Sequence, residues 1–327
     1  MTTYQYDVVI VGAGPAGMCA GMYAGRSMLR SVVLERGFPG GELLNTEKLD
    51  DWIGEKSILG WELAQKFEEH SRLFGAEYVT ANVTTVRRTD GGTFEAITDT
   101  GEVFKSPAVI ITAGGTPIKL GIPGEAEYAG KGVSYCAICD GAFFRNQRIA
   151  VVGGGDAAVE EADFLTRYAE KVYVVHRRDS FRASRILQER LFANPKIEVV
   201  WNTVAEEIVG DEQGLMKALR TRNVETGELG ALDATGCFVF IGFRPNTGII
   251  DGHFDHDPMG YIVTDGMMQT SIPGLFAAGD LRSQLTRQVT TAVGDATTAA
   301  IAVEKYLKAR SEGGHAVDPL GSGGYAV

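Results

Sequence analysis

The chain has little that would suit an anionic partner or a membrane. Its 327 residues carry 31 Lys and Arg against 42 Asp and Glu, which gives a formal net charge of -11. This acidic balance argues against a nucleic acid or an anionic membrane surface as a partner. No apolar run approaches the length of a membrane helix, and the N-terminus enters a predicted strand without the segments of a signal peptide. We therefore expect no nucleic-acid partner and no membrane anchor.

Cysteine is also scarce. Two of the four cysteines, Cys19 and Cys237, are solitary, a usage that favours a reducing cytoplasm over a disulfide-stapled secreted fold. The other two are Cys136 and Cys139, followed at once by Asp140. Two thiols at this spacing can close a small disulfide ring and store two electrons. The alternatives are an inert disulfide or half a zinc site, but zinc would need a second pair, so we predict a redox pair and no metal.

Glycine, in contrast, is abundant, with 42 residues. The first cluster, Gly12–Gly17, follows the apolar run Asp7–Val11 and precedes a predicted helix and a strand that ends on Glu35. A G-x-G-x-x-G loop alone is a weak signal that also occurs as a plain turn, but this complete order predicts a dinucleotide-binding unit. The helix N-terminus would face the phosphates, and Glu35 would accept hydrogen bonds from ribose hydroxyls.

A second unit repeats this order. The predicted strand Arg148–Val152 enters Gly153–Ala158, and the next strand ends on His176–Arg178, with Arg182 close behind. Gly12 and Glu35 are 23 positions apart, as are Gly153 and His176, which indicates an internal duplication. Three arginines and a histidine at the ribose-reading position suit the 2′-phosphate of NADP(H); the alternative is an ordinary solvated basic patch.

The last part of the chain returns to the first unit. A predicted strand ends on Gly279 and Asp280, and a helix is predicted over residues 289–308. Asp280 can bond a polyol, and the helix N-terminus beside Arg287 and Gln288 can stabilise negative charge on a reduced flavin. We therefore predict an α/β fold of two Rossmann-like, three-layer ββα nucleotide-binding domains, with the NADPH domain inserted into the FAD domain.

The expected boundaries follow from this arrangement. The FAD domain spans residues 1–116 and 245–308, the NADPH domain with the cysteine pair spans 117–244, and residues 309–327 form a mobile tail. Gly114-Gly115 and Gly242-Phe243 are candidate hinges. Within the first domain, residues 40–45 read as a surface loop, and an amphipathic helix is predicted over residues 61–74 with Leu63, Phe67 and Leu73 facing a core.

Taken together, these motifs resemble the low-molecular-weight thioredoxin reductases over roughly residues 6–308. The resemblance implies a homodimeric cytoplasmic flavoenzyme in which NADPH reduces FAD, FAD reduces the cysteine pair, and the pair reduces thioredoxin. It also implies that Cys139 lies nearer the flavin, that Cys136 attacks the partner disulfide, and that Asp140 acts as acid and base. By the same matching, the FAD-binding residues are Gly12, Gly14, Pro15, Ala16, Glu35, Arg36, Gly41, Glu42, Leu43, Asn45, Asp51, Val83, Ala113, Gly114, Gly279, Asp280, Arg287, Gln288 and Val289. The NADPH-binding residues are Gly153, Gly155, Asp156, Ala157, His176, Arg177, Arg178 and Arg182.

The chain departs from the family pattern at three places. Glu42 replaces a usual glutamine, and Asp51 with Ile53 replaces a usual asparagine and proline. Extra carboxylates near the flavin would shift its potential down. The third departure is the glycine-rich tail, on which Tyr325 could reach a flavin face. Three other functions stay open at this point: a related flavoenzyme that takes electrons from ferredoxin or another donor, a dithiol oxidase, and a flavin-containing redox sensor.

Overall fold

The computed structural model describes residues 2–46 and 48–312, and these form two compact units. The first unit combines Met1–Thr116 with Arg244–Val327, and the second is Pro117–Phe243. The two connecting strands, Gly115–Pro117 and Phe243–Pro245, pair with each other. Tyr325 and most of the expected tail lie outside the described residues. Across the described ranges, no helix has the length and apolar character needed to cross a bilayer.

The first unit contains a five-stranded parallel sheet and a four-stranded sheet. The strands of the parallel sheet are, in spatial order, Leu275–Ala277, Ala108–Ile111, Val8–Val11, Ser31–Glu35 and Glu77–Thr80. Those of the four-stranded sheet are Thr3–Gln5, Val103–Ser106, Phe94–Thr98 and Val83–Arg88. The short strands Lys48–Leu49 and Ile58–Leu59 form a separate antiparallel pair. The α-helices are Pro15–Arg26, Gly60–Leu73 and Val289–Ser311, and Gly41–Asn45 is a 3₁₀ helix.

Alternation along the central strand explains the three layers of this unit. Val8 and Ile10 pack against alanine-rich faces of the first and last helices, whereas Val9 and Val11 pack against the four-stranded sheet. All four side chains are buried, because successive strand residues point to opposite faces and both faces are covered. The result is helix layer, parallel sheet and second sheet.

The second unit repeats this layering with different strands. Its parallel sheet contains, in spatial order, Val133–Ser134, Gly236–Phe240, Arg148–Gly153, Lys171–Val175 and Ile197–Val200. Its antiparallel sheet contains Thr203–Gly210, Met216–Asn223 and Leu229–Asp233. The helices are Ala137–Asp140, Asp156–Leu165 and Arg185–Ala193, with a 3₁₀ helix at Gly141–Phe144.

The packing of the second unit follows the same alternation. Ile149 and Val151 face the helices, and Ala150 and Val152 face the antiparallel sheet. The predicted α/β class, with two Rossmann-like three-layer ββα domains and one inserted into the other, is therefore confirmed.

Three local predictions differ from the structure. The helix predicted over residues 61–74 is Gly60–Leu73, and it buries Leu63 while Leu73 is 76% exposed. Leu73 was expected in the core, but it lies in the last turn, where the helix face turns away from the cluster around Leu63. The expected surface loop at residues 40–45 is mostly a 3₁₀ helix with Leu43 buried. The last helix runs to Ser311, so three residues assigned to the tail are helical.

Candidate active site

The first glycine loop is shaped by contacts that exclude side chains. Gly12 has φ +104, and a Cβ there would lie 2.6 Å from the carbonyl oxygen of Thr112. Thr112 Oγ1 donates to the carbonyl oxygen of Gly12 at 2.8 Å. Gly14 precedes the helix Pro15–Arg26 and has no side chain to cap it. The first N–H groups of this helix are therefore available to a phosphate.

Glu35 reaches this loop from the end of the neighbouring strand. Its Oε2 accepts a hydrogen bond from the backbone N–H of Ala13 at 2.8 Å, and its Oε1 accepts one from Gly37 N–H at 3.0 Å. The carboxylate therefore stands beside the loop with lone pairs left for ribose hydroxyls, because a carboxylate offers about four acceptor sites.

The segment Gly40–Asn45 closes over the same loop. Gly40 N–H donates to the carbonyl oxygen of Ala13 at 2.7 Å. Gly41 has φ +55, and a Cβ on it would lie 3.0 Å from Cα of Gly14. The backbones of the two segments thus touch where any larger residue would separate them.

Asp280 enters the site from the far end of the chain. A Cβ on the preceding Gly279, which has φ +84, would lie 3.0 Å from Cβ of Ala16, so this turn packs on the start of the first helix. Oδ1 of Asp280 is buried and has no hydrogen-bond partner among the described residues. Burial raises the pKa of Asp280 to about 6, with Arg287 opposing the shift and Glu42 adding to it.

Arg287 and Gln288 occupy the start of the last helix. The Arg287 guanidinium lies 4.0 Å from the ring centroid of Tyr261, and its Nε donates to the carbonyl oxygen of Asp280 at 3.3 Å. Gln288 is the N-cap, and its N–H donates to Oγ1 of Thr291 at 3.0 Å in a capping box. These contacts fix the helix end beside Asp280.

The second glycine loop is supported differently. A Cβ on Gly153 would lie 2.5 Å from Cβ of Ala158, and a Cβ on Gly154 would collide with the His176 ring. Gly155 precedes the helix Asp156–Leu165 and contributes no capping side chain. Backbone N–H of Arg182 donates to the carbonyl oxygen of Gly154 at 2.9 Å, which brings the arginine segment to this loop.

His176 is a packing residue rather than a charged one. It is 7% exposed, and its ring lies 5.3 Å from that of Phe181 and 6.0 Å from that of Trp201. Its Nε2 lies 3.0 Å from the carbonyl oxygen of Ser180. Burial lowers the pKa of His176 below its usual value, so the ring is neutral at pH 7. Positive charge at this position therefore comes from Arg177, Arg178 and Arg182, whose side chains are exposed.

The cysteine pair lies between a strand and a short helix. Cys136 and Cys139 form a disulfide with Cα atoms 5.4 Å apart. Cys136 is the N-cap of Ala137–Asp140, and its Sγ accepts the N–H of Cys139 at 3.2 Å. A donor aimed at Sγ stabilises a thiolate there. Backbone N–H of Asp140 donates to the carbonyl oxygen of Cys136 at 3.3 Å.

The remaining cysteines are separate from this pair. Cys19 is half-buried and lies 3.4 Å from Oγ1 of Thr297. Cys237 is fully buried, and burial raises the pKa of its thiol to about 12. Within residues 2–46 and 48–312, no three His, Cys, Asp or Glu side chains are grouped as metal ligands would be.

Comparison with known proteins places this geometry in a family. The profile of the pyridine nucleotide-disulphide oxidoreductases matches residues 6–296. The chain is 45% identical to the thioredoxin reductase of Listeria monocytogenes over 307 residues, which cover 94% of this chain and 95% of that one. The chain belongs to the thioredoxin reductase family. The Bacillus subtilis thioredoxin reductase is 44% identical and covers 94% of this chain, with 96% of its own length matched.

A solved structure of the family agrees with the fold. Thioredoxin reductase from Lactococcus lactis, in the FR conformation, superposes with a TM-score of 0.90 at 44% identity, over 93% of this chain and 99% of that one. Members of the thioredoxin reductase family use FAD and NADPH. The predicted family resemblance is therefore confirmed.

The predicted site residues fall into three groups within their units. The FAD set gathers around the first loop, except that Val83 is a core residue of the four-stranded sheet and Asp51 lies in an exposed bend. Ala113 and Gly114 are bonded by Asn246, whose Nδ2 donates to the carbonyl oxygen of Ala113 at 2.8 Å. The NADPH set surrounds the second loop, and the cysteine pair forms its own turn.

Sequence reasoning missed the residues that support these groups. Thr112 contacts Gly12 across 100 positions of the chain, and Asn246 contacts Ala113 across 133. Tyr261 contacts Arg287 across 26 positions. None of them belongs to a recognisable local motif, and only the fold brings them to the site.

Proposed function

We propose that this chain is an NADPH-dependent thioredoxin-disulfide reductase. The observation that carries the proposal is the Cys136–Cys139 disulfide, directly before Asp140, in a unit that also has a glycine loop and exposed arginines. The relatives of 44% and 45% identity that are named thioredoxin reductase support the same activity.

The first unit fits FAD. The helix Pro15–Arg26 begins at the first glycine loop with no side-chain cap, so its first backbone N–H groups can bind a dinucleotide pyrophosphate. The buried Oδ1 of Asp280 is an acceptor without a partner among the described residues, and a ribityl hydroxyl would donate to it. An orphaned buried acceptor is rare in folded proteins, so it supports a hydroxyl-bearing ligand at this place.

The second unit fits NADPH. Gly153 and Gly155 lead into the helix N-terminus that would face the pyrophosphate. Arg177, Arg178 and Arg182 offer planar donors for the 2′-phosphate. Neutral His176 instead packs against the loop at Gly154. We therefore assign recognition of the 2′-phosphate charge to the arginines.

The chemistry supplied by the two cofactors, when bound, is hydride transfer and delivery of an electron pair to the disulfide. The thiolate of Cys136 then attacks one sulfur of the thioredoxin disulfide, forms a mixed disulfide and releases a thioredoxin thiolate. The thiolate of Cys139 attacks Sγ of Cys136, closes the intramolecular disulfide and releases the second thioredoxin thiolate. Asp140 is proposed to exchange the protons that these thiols lose and gain.

The same pair has to meet two different partners. A disulfide must approach the flavin ring to accept electrons, yet the dithiol must be open to the disulfide of another protein. Both requirements cannot hold in one arrangement, so we propose that the second unit rotates about the connections near Gly114 and Gly242. Both glycines have positive φ, +56 and +120, a backbone state that glycine adopts without strain.

The proposal includes a homodimer in the cytoplasm, with thioredoxin or a thioredoxin-like protein as the acceptor. Membership of the family supports thioredoxin as the acceptor, and the cysteine usage of the chain supports a reducing compartment. Sedimentation of the purified protein tests the dimer, since it distinguishes a single 35.1 kDa chain from a pair.

A substitution in the pair tests the function. Cys136→Ser is expected to abolish thioredoxin reduction while NADPH still bleaches the flavin absorbance under anaerobic conditions, because only the attacking thiol is lost. Cys19→Ser, a solitary cysteine outside the pair, is the matched control and should keep both reactions.

Other outcomes would contradict the proposal. No bleaching by NADPH in the unmodified protein, with reduction by ferredoxin instead, would assign a different donor. Rapid oxygen consumption with a small dithiol and none with NADPH would assign a dithiol oxidase.

A further inference from the structure

A buried carboxylate near the start of the second unit has no part in the chemistry described above. Glu125 is 3% exposed. Its Oε2 accepts the backbone N–H of Gly121 at 2.7 Å. Its Oε1 accepts both the backbone N–H of Leu120 and the hydroxyl of Tyr135, each at 2.8 Å. Hydrogen bonds to an ionised acceptor are about twice as strong as neutral ones.

Tyr135 links this carboxylate to the redox pair, because it immediately precedes Cys136. Its ring packs against the same apolar cluster as Val133, two residues earlier. Side chains alternate along an extended chain, and Cys136 has an extended backbone with φ -140 and ψ 106. The side chain of Tyr135 therefore lies on one side of this extended segment, and the side chains of Ser134 and Cys136 lie on the opposite side.

Ser134 holds the segment on that other side. Its Oγ donates to the carbonyl oxygen of Cys136 and accepts the N–H of Cys136, both at 3.1 Å. The two anchors together leave the backbone on the N-terminal side of Cys136 little freedom. Neither anchor depends on the bond between the two sulfur atoms.

The other end of the anchor is the chain segment where the second unit begins. Leu120 and Gly121 follow Ile118, whose N–H donates to the carbonyl oxygen of Gly242 at 2.9 Å. Gly121 has φ +72, so its N–H is presented by a tight turn. Glu125 thus ties the redox segment to the entry of its own unit.

We propose that Glu125 is a positioning residue for the redox pair and acts through the Tyr135 hydroxyl. This inference rests on the proposed function, since it concerns the reversible Cys136–Cys139 couple. In the disulfide the sulfur bond itself fixes Cys136 against Cys139. In the dithiol only the surrounding contacts do so. Holding Cys136 in place keeps the two thiols close and favours closure of the disulfide.

Loosening the anchor is expected to shift the couple toward the dithiol. With Tyr135→Phe, the equilibrium constant for forming the disulfide should fall about fivefold, which corresponds to a potential about 20 mV less negative. The measurement equilibrates the full-length, FAD-loaded protein with dithiothreitol buffers. The Cys136–Cys139 peptide is then alkylated and quantified by mass spectrometry.

Two further variants keep the test specific. Tyr128→Phe is the matched control, because it removes a hydroxyl of the same unit that bonds Glu127 rather than Glu125, and it should leave the constant unchanged. Glu125→Gln should shift the constant in the same direction as Tyr135→Phe, because its neutral oxygen holds the hydroxyl more weakly.

Three results would count against the inference. A constant for Tyr135→Phe within twofold of the unmodified protein would overturn it, and so would an equal shift in Tyr128→Phe. Either result would leave the proposed function standing. A pair in the unmodified protein that dithiothreitol cannot reduce would overturn the inference and the proposed function together.

Discussion

The two glycine loops lie in the same order of elements, but the residues at the end of the following strand differ in charge and in burial. Glu35 and His176 each lie 23 positions after the first glycine of their loops. Glu35 bonds the loop through the backbone N–H of Ala13 and keeps lone pairs for a ligand. His176 instead fills the space under Gly154 and is buried among aromatic rings.

This difference shows how two units with the same order of elements can carry opposite charges at the equivalent position. In the first unit one residue both supports the loop and offers charge. In the second unit these tasks are separated, because His176 supports the loop and Arg177 and Arg178 carry the charge. The separation has a structural requirement: Gly154 must stay without a side chain while His176 occupies its space.

The largest expected effect comes from removing the charge. Replacing Arg177 and Arg178 with Ala should weaken NADPH binding about 100-fold, since each bond from an ionised donor to phosphate contributes about 1.5 to 3 kcal/mol. NADH, which lacks the 2′-phosphate, should change less than about twofold. Titration of each nucleotide against the variant measures both constants.

The control for this prediction is Arg220→Ala in the same unit, because Arg220 is also exposed but already pairs with Glu207 at 2.6 Å. An equal loss for NADPH and NADH in the double variant would show that the arginines bind something other than the 2′-phosphate.

The support of the second loop can be tested without any ligand. Gly154→Ala should destabilise the protein by about 1 to 3 kcal/mol, the usual cost of overpacking, because its Cβ would overlap the His176 ring. In a His176→Ala background the same change should cost little, which gives a coupling of about 1 to 3 kcal/mol between the two sites. The midpoints of urea unfolding measure both.

Gly155→Ala is the matched control, since nothing lies within 4 Å of the position its Cβ would take. If Gly154→Ala costs as much with alanine at position 176 as with histidine, the backbone rather than the histidine ring would be the reason for this glycine.

Much of this organisation could be predicted from the sequence, because each nucleotide unit is written in consecutive residues. Strand, glycine loop, helix and strand follow one another directly, so the motif can be recognised without knowing which distant residues it contacts. The cysteine pair was visible for the same reason. The fold class and the two loops therefore required no structure.

Features that depend on distant neighbours could not be predicted. The sequence pattern presents His176 as one more basic residue beside Arg177, and only the packing of Phe181 and Trp201 shows that it is buried and neutral. Leu73 satisfies the helical spacing, but its side chain is 76% exposed. The electrostatic link of Glu42 with Asp280 joins two parts of the chain more than 200 positions apart.

The smallest expected effect is on the stability of the protein when Asp280 in the first unit is replaced. Its pKa in the folded protein is raised to about 6 from 3.8, so the folded state holds this proton more tightly than the unfolded state. Ionising this carboxylate therefore lowers the free energy of unfolding. This cost is absent below about pH 4, grows between about pH 4 and pH 6, and is complete above about pH 6.

Asp280→Asn removes this cost of ionisation. The FAD-free variant should be more stable than the unmodified FAD-free protein by on the order of 1 kcal/mol at about pH 8, or about 2 to 4 °C in Tm, and equally stable at about pH 4.

The matched control is Asp99→Asn, which changes an exposed carboxylate of the same unit that accepts a hydrogen bond from Asn82. This control should show no gain in stability at the higher pH. A loss of stability in Asp280→Asn at the higher pH would mean that the carboxylate already has partners in the free protein, and the orphaned oxygen would then no longer support a ligand hydroxyl in the first unit.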